Sequence, residues 1–292
     1  MATLLSLKRR IRAAQNVSKT TKAMQMIAAS KLKKAQDATL ASRPYVEKVS
    51  LLVTDIATRI EQKDFHPYMK TNSLTGKSLI IALSPDKGLC GGLITNILRE
   101  FFAVSDANKD ASYVVVGKKL EGQVTKLQNE VLASFHFGTT LPAFGVVFPL
   151  IKLIDEYYLS EKVDTVKVLY TDFTSIFSQT PKIVTLLPVT LPDTSGTGEK
   201  GDQNNFSLFE PNVSGLLPDL LKHYLEMTLF QYFLESYVSE QASRMIAMQN
   251  ATTNAKDIIT ELQLEYNKTR QSKITSELLD ITGSKRAEGA QN

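Results

Sequence analysis

The sequence predicts an α/β protein in which long N- and C-terminal helices form an antiparallel coiled coil and an inserted Rossmann-like α/β domain joins them. Three observations lead there. From Asp219 to Thr282, 64 residues pass without a Gly or Pro, and no Gly occurs before Gly76. Between these ends, short apolar runs alternate with segments of helical rhythm. That alternation is the mark of a largely parallel sheet with helices packed on it. The expected division is 1–75 for the first helix and a connector, 76–207 for the α/β domain and 208–292 for the last helix.

Residues 3 to about 60 keep an apolar step of three or four through Leu4, Leu7, Ile11, Ala14, Val17, Met24 and Ala28 or Ile27. This reading needs one slip near Ser18 to Thr21. Pro44 is the only breaker and should kink or restart the helix. Lys63 to Thr75 reads as a connector. Ser78 to Ser84 is a short apolar strand closed by Pro85-Asp86-Lys87-Gly88, and Gly91 to Val104 a helix. Tyr113 to Gly117 reads as a buried strand, Lys118 to Asn129 as helix and Leu132 to Phe137 as strand. Phe144 to Leu159 is helical despite Pro149; Val163 to Tyr170 and Ile183 to Leu191 are strands. Residues 192–205, rich in Gly, Asp, Ser and Thr, form a surface loop. The last helix should start with Pro218 in its first turn and stop at Gly283. At about 1.5 Å per residue it would reach roughly 95 Å, more than one domain can sheathe. Part of its apolar stripe must therefore be covered by another protein.

The 292 residues are 43% hydrophobic and 22% charged, an ordinary globular composition. A net charge of +4 identifies no partner. Its distribution says more: nine Lys or Arg precede the first acid, Asp37, whereas Asp219–Thr282 holds nine acids against six bases. The two ends thus have opposite sign, as paired helices would. The single Cys90 excludes an internal disulfide framework and fits a reducing compartment. No apolar run is long enough to span a bilayer, so direct membrane insertion is not expected. The basic start resembles a mitochondrial presequence, yet the helical pattern runs on past any cleavage point.

Gly88-Leu89-Cys90-Gly91-Gly92 follows a strand and opens a helix, where a phosphate cradle would lie. Leu93 and Ile94 stand where a P-loop requires Lys and Ser or Thr, so the glycines read as a tight turn, with no cofactor. His66, His136 and His223 lie in different segments without an acid or cysteine at ligand or triad spacing. Glu235 and Glu240 are five apart and do not share a face. Cys90 reads as a small core residue. No catalytic residue, bound cofactor or metal ligand is expected. The clusters Arg9, Arg10, Arg12 and Lys31, Lys33, Lys34 raise nucleic-acid binding, but no aromatic precedes Tyr45 to stack on bases. A basic helical nucleic-acid-binding or scaffold protein therefore stands as the alternative function. A plain coiled-coil dimerisation arm would need a Leu and Ile seam; here Ser18, Thr21, Ala242, Ala247, Ala251, Thr252 and Ala255 make a slender one.

Three blocks resemble the gamma subunit of F-type ATP synthase: Leu7–Arg12 continuing through Thr21–Leu32, then Ser84–Leu93, then Ser239–Ala255 with Glu261–Ile281. They span both ends and the middle of the chain. The resemblance implies a non-catalytic rotor shaft that couples proton flow through a membrane c-ring to ATP synthesis in a ring of three alpha and three beta subunits. It also implies an epsilon-type subunit as partner, no nucleic acid, and a peripheral place on the cytoplasmic face of a bacterial plasma membrane, with the mitochondrial matrix face as alternative. By the same resemblance Lys22, Met24, Arg244, Arg270, Gln271 and Thr275 contact the alpha/beta ring, and Gly88, Gly91 and Gly92 serve the fold. Ile94 departs from the Asn expected after Gly-Gly-Leu, the 192–205 loop lacks the cysteines of a thiol switch, and Lys285–Asn292 runs past the usual ending. The signature lies close behind Met1, which suits a bacterial protein.

Overall fold

A computed structural model describes residues 3–58, 66–70, 76–108, 110–125, 130–189 and 213–288, with the side chains of 58, 213, 214 and 280–288 left aside. The two long helices are α1, Leu4–Thr58, and α5, Val213–Glu288. Between them come β1 (Ser78–Leu83), α2 (Leu93–Ala107), β2 (Ser112–Val116), α3 (Lys118–Val124), β3 (Val131–Phe135), α4 (Phe148–Tyr158), β4 (Thr165–Phe173) and β5 (Gln179–Leu187). The chain clusters into two compact units, Met1–Ala28 with Met245–Asn292, and Ala29–Arg244. The expected boundaries at 75 and 207, the 192–205 loop and residues 289–292 lie outside the described residues.

In the unit of the chain ends, the two helices bury one seam each. On α1 it runs Leu4, Leu7, Ile11, Ala14, Ser18, Thr21, Gln25, Ala28; on α5 it runs Met245, Met248, Thr252, Ala255, Ile259, Leu262, Tyr266, Thr269. Both alternate steps of three and four, the period of a coiled coil. The slip expected near Ser18 does not occur. Ser18 and Thr21 keep the phase, and Val17 and Ile27 point outward, 53% and 58% exposed, while Ala28 is buried. Polar seam residues can hold phase because their hydroxyls are satisfied: Thr252 Oγ1 donates to the Met248 carbonyl at 2.7 Å and lies 2.8 Å from Thr21 Oγ1. The seam assignment separates two apolar positions that a hydropathy count treats alike. Leu7→Ala should cost about 2 kcal/mol in urea unfolding through lost burial. Val17→Ala should fall within about 0.5 kcal/mol of the parent.

In the other unit, the five strands order β3-β2-β1-β4-β5, the first four parallel and β5 antiparallel to β4. The central strands β1 and β2 are buried on both faces, which is why they read as unbroken apolar runs. Ile80, Ala82, Tyr113, Val115 and Leu169 pack on Leu93, Ile97 and Phe101 of α2 and Leu120 and Val124 of α3. The alternate residues Leu79, Ile81, Leu83, Val114, Val116, Val166 and Val168 pack on α4, on Val49, Val53 and Ile56 of α1, and on Leu217 to Phe233 of α5. Period-two alternation thus makes a three-layer unit. Pro181 sits in β5, an edge strand that can forgo one ladder bond. Within this unit Arg43 pairs with Glu235 and Tyr45 with His223, so α1 and α5 run antiparallel.

Both helix-end expectations shift. Pro218 lies inside α5, which starts at Val213, because Leu217 buries against the core and holds the extra turn. Gly283 does not stop α5, which continues to Glu288. Pro44 is exposed and α1 runs through it without restarting. Phe144–Val146 is a separate 3-10 turn, and α4 begins at Phe148 with Pro149 in its first turn, where a missing N–H costs nothing.

Candidate functional site

The turn after β1 is built by backbone conformation. Leu89 and Gly91 both take the left-handed region, at φ 63° and 57°. Gly91 does so without the Cβ penalty that Leu89 carries. Gly92 caps α2, and a Cβ at Gly88 would make only ordinary contact with Lys119. Cys90 is buried, and burial pushes its thiol pKa up, away from nucleophilic use.

Asp86, two residues before this glycine run, organises the region, and no sequence spacing marks it. Its Oδ1 accepts from the Lys118 amide at 3.0 Å and its Oδ2 from the Gly138 amide at 2.9 Å. One carboxylate therefore takes the amide at the start of α3 and ties three loops together. Beside it Gly117 has φ 101°, and a Cβ there would fall 2.0 Å from the Ser84 carbonyl oxygen.

Helix α5 closes over these loops with a row of polar side chains. Ser236 Oγ accepts from the Thr171 amide at 3.2 Å, and Ser239 Oγ donates to the Thr171 carbonyl at 3.2 Å. Ser243 Oγ donates to the Cys90 carbonyl at 2.6 Å. Arg244 places Nη2 2.6 Å from Glu240 Oε1 and donates to the carbonyls of Lys87 at 3.2 Å and Gly88 at 3.4 Å. Its guanidinium is engaged within the chain. Burial raises the Glu240 pKa, an effect that Arg244 opposes by favouring the charged carboxylate. Together these bonds fix α5 to the carboxyl ends of the strands, where doubly wound sheets usually hold ligands.

The other sequence-nominated residues lie in the unit of the chain ends. Lys22 is exposed and its Nζ donates to Gln25 Oε1 at 3.3 Å; Met24 is half-buried. The α5 seam ends at Thr269, and from Arg270 to Leu279 every residue is exposed. Arg270, Gln271 and Thr275 fall in that stretch, with Thr275 Oγ1 donating to the Gln271 carbonyl. Ile274 and Leu278, placed on the apolar stripe by their spacing, are exposed there too, as are Leu264 and Ile258 on neighbouring turns.

His136 meets two acids that sequence separation hid, whereas the acid beside His223 is three residues on and the acid near His66 is held through Tyr68. His136 reaches Asp86 at 3.7 Å and Glu121 at 3.3 Å. His223 lies 3.8 Å from Glu226 and 2.8 Å from the Tyr45 hydroxyl. His66 packs against Tyr68, whose hydroxyl donates to Asp155; burial lowers the His66 pKa against the pull of that acid. Among the described residues no three His, Cys, Asp or Glu side chains are placed to hold a metal. No described helix is long and apolar enough to cross a membrane.

A family model described as ATP synthase matches residues 3–287. A curated ATP synthase gamma chain of Dehalococcoides mccartyi is 40% identical over 97% of this chain and 98% of its own length. One from Halothermothrix orenii is 34% identical over 98% and 99%. Among solved structures, a chain of the Euglena gracilis mitochondrial ATP synthase (OSCP/F1/c-ring, rotational state 3) superposes with TM-score 0.69 at 18% identity, covering 98% of this chain and 95% of that one. A chain of the Tetrahymena thermophila mitochondrial central stalk and c-ring gives 0.59 at 22% identity, covering 80% and 99%. The structures speak for the fold and the curated relatives for the lineage. With three sequence blocks, two long paired helices and a sheet inserted between them, this chain belongs to the gamma-subunit family of F-type ATP synthases.

Proposed function

We propose that the chain is the non-catalytic central shaft of a rotary ATP synthase, turned by ion flow through a membrane c-ring. Its partners are three alpha and three beta subunits, an epsilon-type subunit and that ring. It lies peripherally, on the cytoplasmic face of a bacterial plasma membrane. The observation that carries this reading is the α5 stretch beyond Thr269, where Arg270, Gln271 and Ile274 are all exposed and the described side chains, through Leu279, form no further seam. An exposed helix carrying a guanidinium, an amide and an apolar side chain suits a contact surface on a surrounding protein.

Arg270 is well placed for charge-assisted bonds to carboxylates or carbonyls of a ring. Gln271 and Thr275 on α5 extend that surface, and Lys22 and Met24 on α1, near the level of Thr252, offer a second one. Arg244 acts differently, bracing Glu240 and the Gly88 turn from within, and Gly88, Gly91 and Gly92 shape that turn. Coupling is population shift: as the shaft turns, each catalytic subunit meets a different face, and only differential contact can favour one nucleotide-binding state over another. The carboxyl ends of the strands are closed by α5, and Asp86 holds the amide at the start of α3, which fits a scaffold with no nucleotide of its own.

The test is assembly. Mixed with alpha and beta subunits, the chain should elute in one complex with ATPase activity, and DNA should not compete it away. Elution of the chain apart from an assembled ring would overturn the reading.

A further inference from the structure

One carbonyl in the β3–α4 loop receives a hydrogen bond from each long helix. Lys31 Nζ of α1 donates to the Thr139 oxygen at 2.6 Å, and the Tyr237 hydroxyl of α5 donates to the same atom at 3.1 Å. A carbonyl oxygen has two lone pairs, and here a cation and a phenol fill both. The loop is fastened just ahead of this atom as well. Gly138 gives its amide to Asp86, and the Phe137 ring meets Phe233 of α5 edge-on at 5.7 Å and stacks on Phe135 at 5.9 Å. A small cavity of about 60 Å³ lies alongside, lined in part by Asp86, Gly138, Phe233, Tyr237 and Glu240. Tyr237 is buried, and burial pushes its hydroxyl pKa up to about 12, so it stays a donor across the physiological range.

We propose that Lys31, Tyr237 and the Thr139 carbonyl form a clamp that keeps α1 and α5 at a fixed angle to the sheet when the helices are under torque. They are positioning residues for rotary coupling. The proposal rests on the shaft reading above. Three features suit the task. The acceptor is main chain, so its position is set by the loop and not by a rotamer. The donors come from both helices, so neither can turn about its own axis without breaking a bond. The Lys31 bond is charge-assisted and half-buried, which shields it from competing water. Arg244 and Ser243 grip the Gly88 turn, and the clamp grips a different loop.

The experiment has two parts, both on the full chain carrying Lys31→Met with Tyr237→Phe, and on Lys31→Arg. In the isolated chain, amide exchange at Gly138–Thr140 should speed up about tenfold in the double variant and stay near the parent in Lys31→Arg, which keeps a donor. In the complex reconstituted with its membrane ring, proton pumping per ATP hydrolysed should fall several-fold in the double variant while ATPase turnover persists, and Lys31→Arg should restore it. Faster exchange with unchanged pumping per ATP would overturn the clamp as a coupling device and leave the shaft reading standing. Failure of the parent chain to couple pumping at all would overturn both. Unchanged exchange would show that the Thr139 bonds hold nothing.

Discussion

Removal of everything after Ile274 should abolish most ATP-driven proton pumping while the truncated chain still enters the alpha/beta complex and melts like the parent. From Arg270 onward every described side chain is exposed, so the deleted residues contribute little to the chain's own fold. Their internal contacts are of the weak kind: Lys273 with Glu277 is an exposed i,i+4 ion pair, worth about 0.3 to 0.5 kcal/mol. A change in melting beyond about 0.5 kcal/mol is therefore not expected. The coiled-coil seam stops at Thr269 and is untouched. The deletion removes the exposed residues Thr275 to Leu279 and all that follows them, leaving Arg270 and Gln271 on a frayed end. If contact with the ring passes through this tip, pumping per ATP drops before assembly does. Loss of assembly ahead of coupling would show that the tip seats the shaft, and its assigned role would fall.

Gly117→Ala should destroy the α/β unit, with a cost above about 4 kcal/mol and an insoluble product at ordinary growth temperature. Two effects add. At φ 101° the backbone is in a region L side chains rarely enter, a strain of about 1 to 3 kcal/mol. The added methyl would also sit 2.0 Å from the Ser84 carbonyl oxygen and 2.7 Å from its Oγ. Ser84 cannot yield cheaply. Its amide donates to the Val116 carbonyl at 2.8 Å, its Oγ donates to that same carbonyl and accepts from Leu120, and it holds the ends of β1 and β2 together. Gly92→Ala is the internal control, since nothing lies within 4 Å of its Cβ position and its φ is ordinary. Equal solubility of the two variants in the same host would refute the steric argument.

Much of the fold was legible in the residues. The long stretches without Gly or Pro gave both helices, and the apolar runs at 78–84 and 113–117 gave two central strands, because a strand buried on both faces has no polar alternation to hide it. Phase was not legible: Val17 and Ile27 look like seam residues, and Ser18 and Thr21 do not. A hydropathy count misses that a hydroxyl bonded to its own helix can occupy a seam. Helix ends shifted for a related reason, since Leu217 packing outweighs the local preference of Pro218.

The site divides in the same way. Sequence alone determined the lineage, through motifs spread over the whole chain, and through that resemblance it nominated Lys22, Arg270, Gln271 and Thr275, all of which the fold leaves exposed. Only the tertiary structure decided that Arg244 turns inward to Glu240 and the Gly88 turn, that Asp86 draws three loops together, and that Lys31 and Tyr237 meet at one carbonyl. Apart from Arg244 with Glu240, four positions away, those contacts join residues from 32 to 157 positions apart. Their partners are mostly backbone amides and carbonyls, which every residue carries alike, so no pattern of side chains can announce them.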